Sequence, residues 1–331
     1  MPDGLTGGPA PSLPIPDTLL SRWFGERLGT TDVTIVTTEL LPGGAIQHNW
    51  RVDLDADGAA QSYVLRAGPE IPLPESLTKS DEYDMVCRVY DAGIPVPEPL
   101  WFREGEVPFF VSRLCRGDAR RGDLIARSDN DALLRDLGAA LAQIHKVDTA
   151  DAALTNAPSV RINTLSDWLN ALDEIPGPIS HSLADGLTWL RTHEPEEVPA
   201  VLVHRDFRTG NFLVENGRLT AVLDWEFAGW GDRHEDIGWF CARCWRGEAP
   251  TREAGGLGDR HVFYDAYIAA GGDMPDPERI RFWEVFAHLR WALIALQQGV
   301  RARAGAFPAW ELEEAEARVP GLLHVVAEMT R

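Results

Sequence analysis

The stretch from residue 201 to 226, VLVHRDFRTGNFLVENGRLTAVLDWE, constrains the chain more than any other. It reads as a strand, a polar loop, a tight hairpin, and an acidic residue at the end of the second hairpin strand. Asn216-Gly217 lies between the apolar runs 212–214 and 219–223, the strongest short-range signal for a two-residue hairpin turn. Centring the turn on that pair sets a register: Glu215 opposite Arg218, Val214 opposite Leu219, Phe212 opposite Ala221 and Asn211 opposite Val222. Side chains alternate faces along a strand, so Asp224 returns to the face of Val222 and Asn211. Diagonal neighbours lie within about 7–8 Å at the backbone and closer at the side-chain tips. Asp206, at the other end of the loop, faces the same point. An amide oxygen and carboxylates converging in this way suit Mg²⁺, a hard cation that takes oxygen ligands, and suggest a phosphoryl-transfer site.

The rest of the 331-residue chain is long enough for one large or two ordinary domains. Its 44% hydrophobic and 25% charged residues are those of a globular protein. A formal net charge of −20 argues against nucleic acid or an anionic membrane surface as partner. The same charge would suit a cationic substrate, or serve only for solubility. Lys79 and Lys146 are the only lysines, so almost all positive charge is arginine. Four cysteines in a chain of this length do not suggest a disulfide framework. Cys241 and Cys244 are one helical turn apart and lack a second pair, which favours buried helix cysteines over a closed zinc site. Met1–Pro16 has neither a basic start nor an apolar run, and no segment reaches 18 apolar residues. The expectation is a cytoplasmic protein with no obligate protein partner evident.

Residues 1–16 are rich in Gly and Pro and read as a flexible tail. A helix from Asp17 ends at Gly29, followed by strands over 34–41, 50–54 and 61–66 with a turn at 55–58. An amphipathic helix over 80–92, with Ser80 as N-cap, ends at Gly93. Strands over 100–103 and 108–114 complete a five-stranded, largely antiparallel sheet. After the connector 115–118 come helices over 131–145, 165–175, 180–194, 236–246, 259–270, 277–299 and 309–330. The fold class is α+β: a β-rich nucleotide-binding N-lobe over 17–114 and a mostly helical C-lobe over 115–331.

Phosphoryl transfer requires the phosphates to be held, their charge offset, and the acceptor's proton accepted. Asp206 is the candidate base, or else a strand-end carboxylate capping its own turn. Arg208 would reach the transferring group, or stand solvated in the loop. His204 braces the loop. The pattern HxDxxxxN of His204, Asp206 and Asn211, with Asp224-Trp225 beyond it, resembles the aminoglycoside phosphotransferase family, the small-molecule branch of the two-lobed protein-kinase-like fold. The resemblance runs from about residue 40 to 300 and is most specific over 201–240. It implies Asp206 as catalytic base, Asn211 and Asp224 as Mg²⁺ ligands, ATP as phosphoryl donor, and Asp236 in GDRHEDIGW as a brace for the catalytic loop.

In the small lobe, Gly43 and Gly44 resemble the family's loop over the nucleotide phosphates, where glycines let backbone N–H groups approach. Kinases usually place a Lys on the third strand, paired with a helix Glu. Here Arg66 stands in that place, with Glu82 as its matching partner, and arginine can grip phosphate bidentately. Ser112, Arg113, Leu114 and Cys115 correspond to the segment whose backbone reads adenine. The helix over 282–297 is expected to mix core packing with one wall of the substrate cleft. The resemblance implies ATP-dependent transfer to a small-molecule hydroxyl. Aminoglycoside, choline, homoserine and hydroxyacyl-thioester acceptors are all open, as is a non-catalytic nucleotide-binding scaffold of the same fold.

Overall fold

Strand alternation accounts for the smaller lobe. The computed structural model describes residues 13, 15–41, 48–68, 76–148, 161–172, 175–305 and 309–331. Helix α1 (Asp17–Leu28) precedes β1 (Val33–Leu40), β2 (His48–Ala56), β3 (Ala59–Ala67), β4 (Pro99–Arg103) and β5 (Phe109–Arg113). These strands form one antiparallel sheet in the order β1-β2-β3-β5-β4. The β2–β3 turn places Asp57 and Gly58 at φ 52° and 77°, the left-handed pair whose twist suits a hairpin. Trp50 opposite Leu65 and Val52 opposite Tyr63 put four buried side chains on one face, against Trp23 and Phe24 of α1. Burying an apolar side chain of this size contributes about 1.5–3 kcal/mol. Ile15, at the end of the expected tail, is buried in the same cluster, so ordered packing begins before residue 17. The alternate residues Val64 and Arg66, with Ser112 and Phe110 opposite them on β5, face the cleft between the lobes.

Helix α2 (Lys79–Asp91) starts earlier than Ser80 implies. Thr78 is the N-cap: its hydroxyl accepts the Asp81 N–H at 3.1 Å and donates to the Asp81 carboxylate at 2.6 Å. Lys79 therefore lies one helical turn before Glu82, on the same face. Met85, Val86 and Val89 of α2 are buried in a cluster that also holds Leu137, Phe207 and Trp225 of the larger lobe.

The larger lobe contains α3 (Arg121–Ala126), α4 (Asp131–Ile144), α5 (Ile162–Ala171), α6 (Gly177–Thr192), α7 (His234–Cys241), α8 (Arg260–Ala269), α9 (Pro277–Arg303), α10 (Ala309–Ala317) and α11 (Val319–Met329). Two small antiparallel pairs lie among them: β6 (Val201–Val203) with β9 (Gly229–Gly231), and β7 (Phe212–Glu215) with β8 (Arg218–Val222). The helix expected over 236–246 stops at Cys241, because Ala242 turns extended at ψ 141° before a 3₁₀ turn over Arg243–Trp245. Cys241 and Cys244 thus do not share a helix; burial pushes the Cys241 thiol up to about 12, and all four cysteines are free. The segment expected as one helix over 309–330 divides at Arg318, since Pro320 fits only the first turn of a helix. The strand expected at the start of the 201–226 stretch is β6, while helix α3 and strand β9 are too short for periodicity to reveal. Among the described residues, no helix is long and apolar enough to cross a membrane.

Candidate active site

The β7–β8 hairpin forms as expected at its tip and shifts in its body. Asn216 and Gly217 take φ 52° and 78°, and Glu215 and Val214 pair with Arg218 and Leu219. Beyond them Leu213, not Phe212, faces Ala221, and Phe212 faces Val222. Thr220 is an extra residue on β8, a bulge of the kind that bends a strand and re-aims the residues beyond it. Its cause is the connector after β5. Asp118 exchanges both backbone hydrogen bonds with Val214 at 3.0 and 3.1 Å, and the Thr220 hydroxyl donates to the Arg116 carbonyl at 2.8 Å. Pairing then continues to Asn211, whose carbonyl accepts the Leu223 N–H at 2.8 Å. Asp224 follows directly, at φ 62°, a left-handed conformation that turns it out of the strand.

The loop before β7 is fixed from below by a carboxylate. Asp236, fully buried at the start of α7, accepts the backbone N–H of His204 and of Arg205, each at 2.7 Å. Burial alone would raise its pKa, but the His145 imidazole, 3.3 Å away, leads the groups that hold it below the usual carboxylate value. Arg205 sits at φ 62°, and its carbonyl accepts from the Arg290 guanidinium at 2.6 Å. A strained non-glycine residue persists where its surroundings over-determine it, and here both of its backbone polar groups are held. The His204 ring accepts the Asp206 N–H at Nδ1, which leaves the proton on Nε2 to donate to the Leu223 carbonyl at 2.8 Å. Burial lowers the His204 pKa, so the neutral ring ties the loop to the hairpin.

Above this brace the carboxylate of Asp206 is aimed by three side chains. The Trp239 indole donates to Oδ1 at 3.0 Å, Arg208 Nε donates to the same oxygen at 3.0 Å, and the Asn211 amide donates to Oδ2 at 2.6 Å. The Asn211 nitrogen also donates to the Asp206 carbonyl at 2.9 Å, so its carbonyl oxygen is the end left to face elsewhere. Across the cleft Arg66 makes the expected pair with Glu82 at 2.6 Å and a second with Asp224 at 2.6 Å. Lys79, from the first turn of α2, meets the other oxygen of Glu82 at 2.5 Å. Burial works against the charge on both Arg66 and Glu82. Glu82, Asp224 and Glu226 nevertheless hold the guanidinium above its ordinary value, and Arg66 with Lys79 holds Glu82 below its own. Burial likewise opposes ionised Asp224, and Arg66 and Arg208 overcome it. Glu226 links the lobes: its carbonyl accepts the Leu77 N–H at 2.7 Å, and its carboxylate accepts the Ser76 hydroxyl at 3.0 Å.

Arg66, Glu82, Ser112, Arg113, Leu114, Cys115, Arg208, Asn211 and Asp224 all line one cleft of about 530 Å³ between the lobes. Gly43 and Gly44 lie outside the described residues. Three contributors have no strong sequence signal: Lys79, Trp239 and Arg290. For Lys79 the i,i+3 spacing to Glu82 was available; Trp239 and Arg290 reach the loop only through tertiary approach. In α9 the aromatic stripe of Phe282 and Phe286 is core, and Arg290 lies with its guanidinium 4.6 Å from the Trp239 ring centre. Among the described residues no group of three or more His, Cys, Asp or Glu could hold a metal ion. Asn211 and Asp224 are oxygen donors of the kind Mg²⁺ takes when phosphate oxygens and water complete its shell.

Comparison with known proteins agrees with this architecture. A model of the phosphotransferase enzyme family, APH, matches residues 37–283, well over half of the chain. The chain is similar to acyl-CoA dehydrogenase family member 11 of Gallus gallus, 29% identical over 199 residues, 54% of this chain and 24% of that protein. It is also similar to hygromycin-B 4-O-kinase of Escherichia coli, 35% identical over 73 residues, 21% of this chain and 20% of that protein. The matched region thus spans about a quarter of the first relative's length and about a fifth of the second's. Among solved structures, spectinomycin phosphotransferase APH(9)-Ia with ADP and spectinomycin superposes at a TM-score of 0.70 and 13% identity, covering 96% of this chain and 99% of that one. A choline/ethanolamine kinase family protein from Mesorhizobium loti superposes at 0.60 and 17% identity, covering 89% and 91%. At such identities the likeness establishes the fold, two-lobed and protein-kinase-like. With the family match over residues 37–283, the chain belongs to the APH phosphotransferase enzyme family.

Proposed function

We propose that the enzyme transfers the γ-phosphate of ATP to a hydroxyl of a small molecule, with the nucleotide between a lobe over 17–114 and a lobe over 115–331. The observation that supports this best is the aim of Asp206, held at both carboxylate oxygens by Trp239, Arg208 and Asn211. In this reading Asp206 accepts the proton of the acceptor hydroxyl as its oxygen attacks phosphorus. Arg208 stands beside Asp206 to offset charge on the transferring group. Arg66, fixed by Glu82, faces the phosphates, and the backbone of Ser112–Cys115 reads the base. Asn211, through its free carbonyl oxygen, and Asp224, kept ionised by Arg66, would hold Mg²⁺. That ion, when bound, offsets phosphate charge. Related proteins solved with ADP or AMP-PNP support a nucleotide donor.

The test is a pair of variants. Asp206→Ala should lower turnover by roughly 10²–10⁴-fold while Mg²⁺-ATP still raises the Tm. Asp224→Ala should instead lose the Mg²⁺-dependent part of that shift. A purified chain that shows no Mg²⁺-ATP thermal shift and consumes no ATP with amino sugars, amino alcohols or hydroxyacyl thioesters would overturn the reading.

A further inference from the structure

The two ends of the cleft neutralise their charge differently. At the β3–α2 end every cation has a carboxylate: Arg66 pairs with Glu82 and Asp224, and Lys79 with Glu82. At the opposite end Arg208 has Asp206 and Arg120 has Asp118 and Asp123, but Arg121 has no carboxylate partner among the described residues. Arg208 lies with its guanidinium 4.9 Å from the Trp245 ring centre and gives only Nε to Asp206. Arg121, the first residue of α3, donates from Nη2 to the Trp245 carbonyl at 3.0 Å. Its Nε is buried with no hydrogen-bond partner among the described residues.

The backbone makes room for both groups. A Cβ at Gly210 would lie 3.0 Å from Arg208 Nη1, and one at Gly247 would lie 2.8 Å from Arg121 Nη2. Burial, then repulsion from Arg208 and Arg318, lowers the Arg121 pKa, outweighing Cys244 and Glu248. Packing alone does not call for like charges held side by side at that cost, least of all in a chain of net charge −20. Asp206 answers for Arg208; Arg121 has no such partner among the described residues.

We infer that the acceptor is an anionic alcohol, a hydroxyl compound whose carboxylate or phosphate group is gripped by Arg121 beside Trp245, with Arg208 left to the transferring group, while its hydroxyl meets Asp206. This rests on the phosphotransfer reading above. The acceptor oxygen bonds to the γ-phosphorus, the bond from that phosphorus to the β,γ-bridging oxygen breaks, ADP leaves, and the hydroxyl proton passes to Asp206. Arginine suits the anionic group because its planar fork meets carboxylate or phosphate oxygens in pairs. The overall charge of the chain would suit a cationic substrate or serve only for solubility; Arg121 at this end of the site points to an anionic one.

The test is calorimetric titration of the full chain, saturated with Mg²⁺ and AMP-PNP, with 3-hydroxybutyrate, glycerol 2-phosphate and choline. At least one of the two anions should bind saturably and choline should not; which anion binds separates carboxylate from phosphate recognition. Arg121→Met should weaken the anion by roughly 10- to 100-fold, the loss of a charge-assisted hydrogen bond, and Arg121→Lys should restore part of it. AMP-PNP affinity should change by less than about twofold in both variants, because a nucleotide role for Arg121 would move both affinities together. Saturable choline binding, saturation by neither anion, or parallel loss of AMP-PNP and anion in Arg121→Met overturns the proposal. Should Arg121→Met not fold, the unaltered chain decides: anion affinity must fall as KCl rises. Failure of the unaltered chain to bind AMP-PNP counts against the phosphotransfer reading instead, and the anion titrations without nucleotide still settle the arginine cluster.

Discussion

The loop before β7 and the β3–α2 end of the cleft both place a charged side chain at the same point, by opposite means. Under the loop, the fully buried Asp236 accepts two backbone N–H groups at 2.7 Å. Such bonds fix the chain itself and leave little freedom to the residues above. Across the cleft, Arg66, Lys79 and Glu82 are held by one another's tips at 2.5–2.6 Å. Long side chains joined end to end can exchange partners, and Arg66 already divides itself between Glu82 and Asp224. The loop that carries Asp206 is therefore rigid by construction, and the end that carries Arg66 is adjustable at its side-chain tips.

The largest effect that separates the two designs is expected from Asp236→Ala. It strands two buried backbone donors and the partner of His145, and should cost roughly 3–5 kcal/mol in urea unfolding, with turnover lost as well. A loss below about 1 kcal/mol would break the contrast, because only unmet buried donors make that residue costly. Glu82→Gln should cost less, roughly 2–3 kcal/mol, and should weaken nucleotide binding more than it lowers turnover of the bound complex. Arg66 keeps Asp224 in that variant, and Lys79, whose pKa burial already draws down, can shed its proton. Equal losses in nucleotide affinity and turnover would remove the distinction between a rigid and an adjustable end.

The smallest effect is acid-dependent and tests whether N–H donors stabilise other carboxylates of the larger lobe. Asp232, ahead of α7, is opposed by burial, but hydrogen bonds led by that from His234 bring its pKa down to about 2. A depressed carboxylate stabilises the fold above its unfolded value and loses that contribution as pH falls through the folded value. Between pH about 4 and about 2 the chain should therefore lose roughly 2 kcal/mol, and Asp232→Asn should remove that part of the slope. An unchanged slope in Asp232→Asn would assign the acid sensitivity to other groups.

How much the sequence reveals depends on the range of each cause. The Asn216-Gly217 turn, the alternation that separates Arg66 from Leu65, and the spacing of His204, Asp206 and Asn211 are local, and the structure carries them through. The Thr220 bulge was not legible, because its cause is a connector about a hundred residues away at Arg116 and Asp118. The two-residue difference in the N-cap hides Lys79, although Thr78, with Asp81 three residues on, is a cap of the same kind as Ser80. Trp239 aims Asp206 and Arg290 holds the Arg205 carbonyl only after α7 and α9 have packed, and no spacing in the chain announces either contact. A sum of charge over the whole chain says nothing of where its arginines gather.

The link between Glu226 and the residues ahead of α2 bears on control of the enzyme. Leu77 and Ser76 are bonded to the segment that carries Asp224, and the Val222 N–H is bonded to the Pro95 carbonyl at 2.7 Å, so both ends of α2 are moored to the larger lobe. Met85 and Val86 add an apolar seal in the same direction. A helix moored at both ends cannot act as a lever that swings Glu82 in and out. The Arg66–Glu82 pair is thus held formed by the same moorings that fix the helix, with no swing of α2 needed to make it.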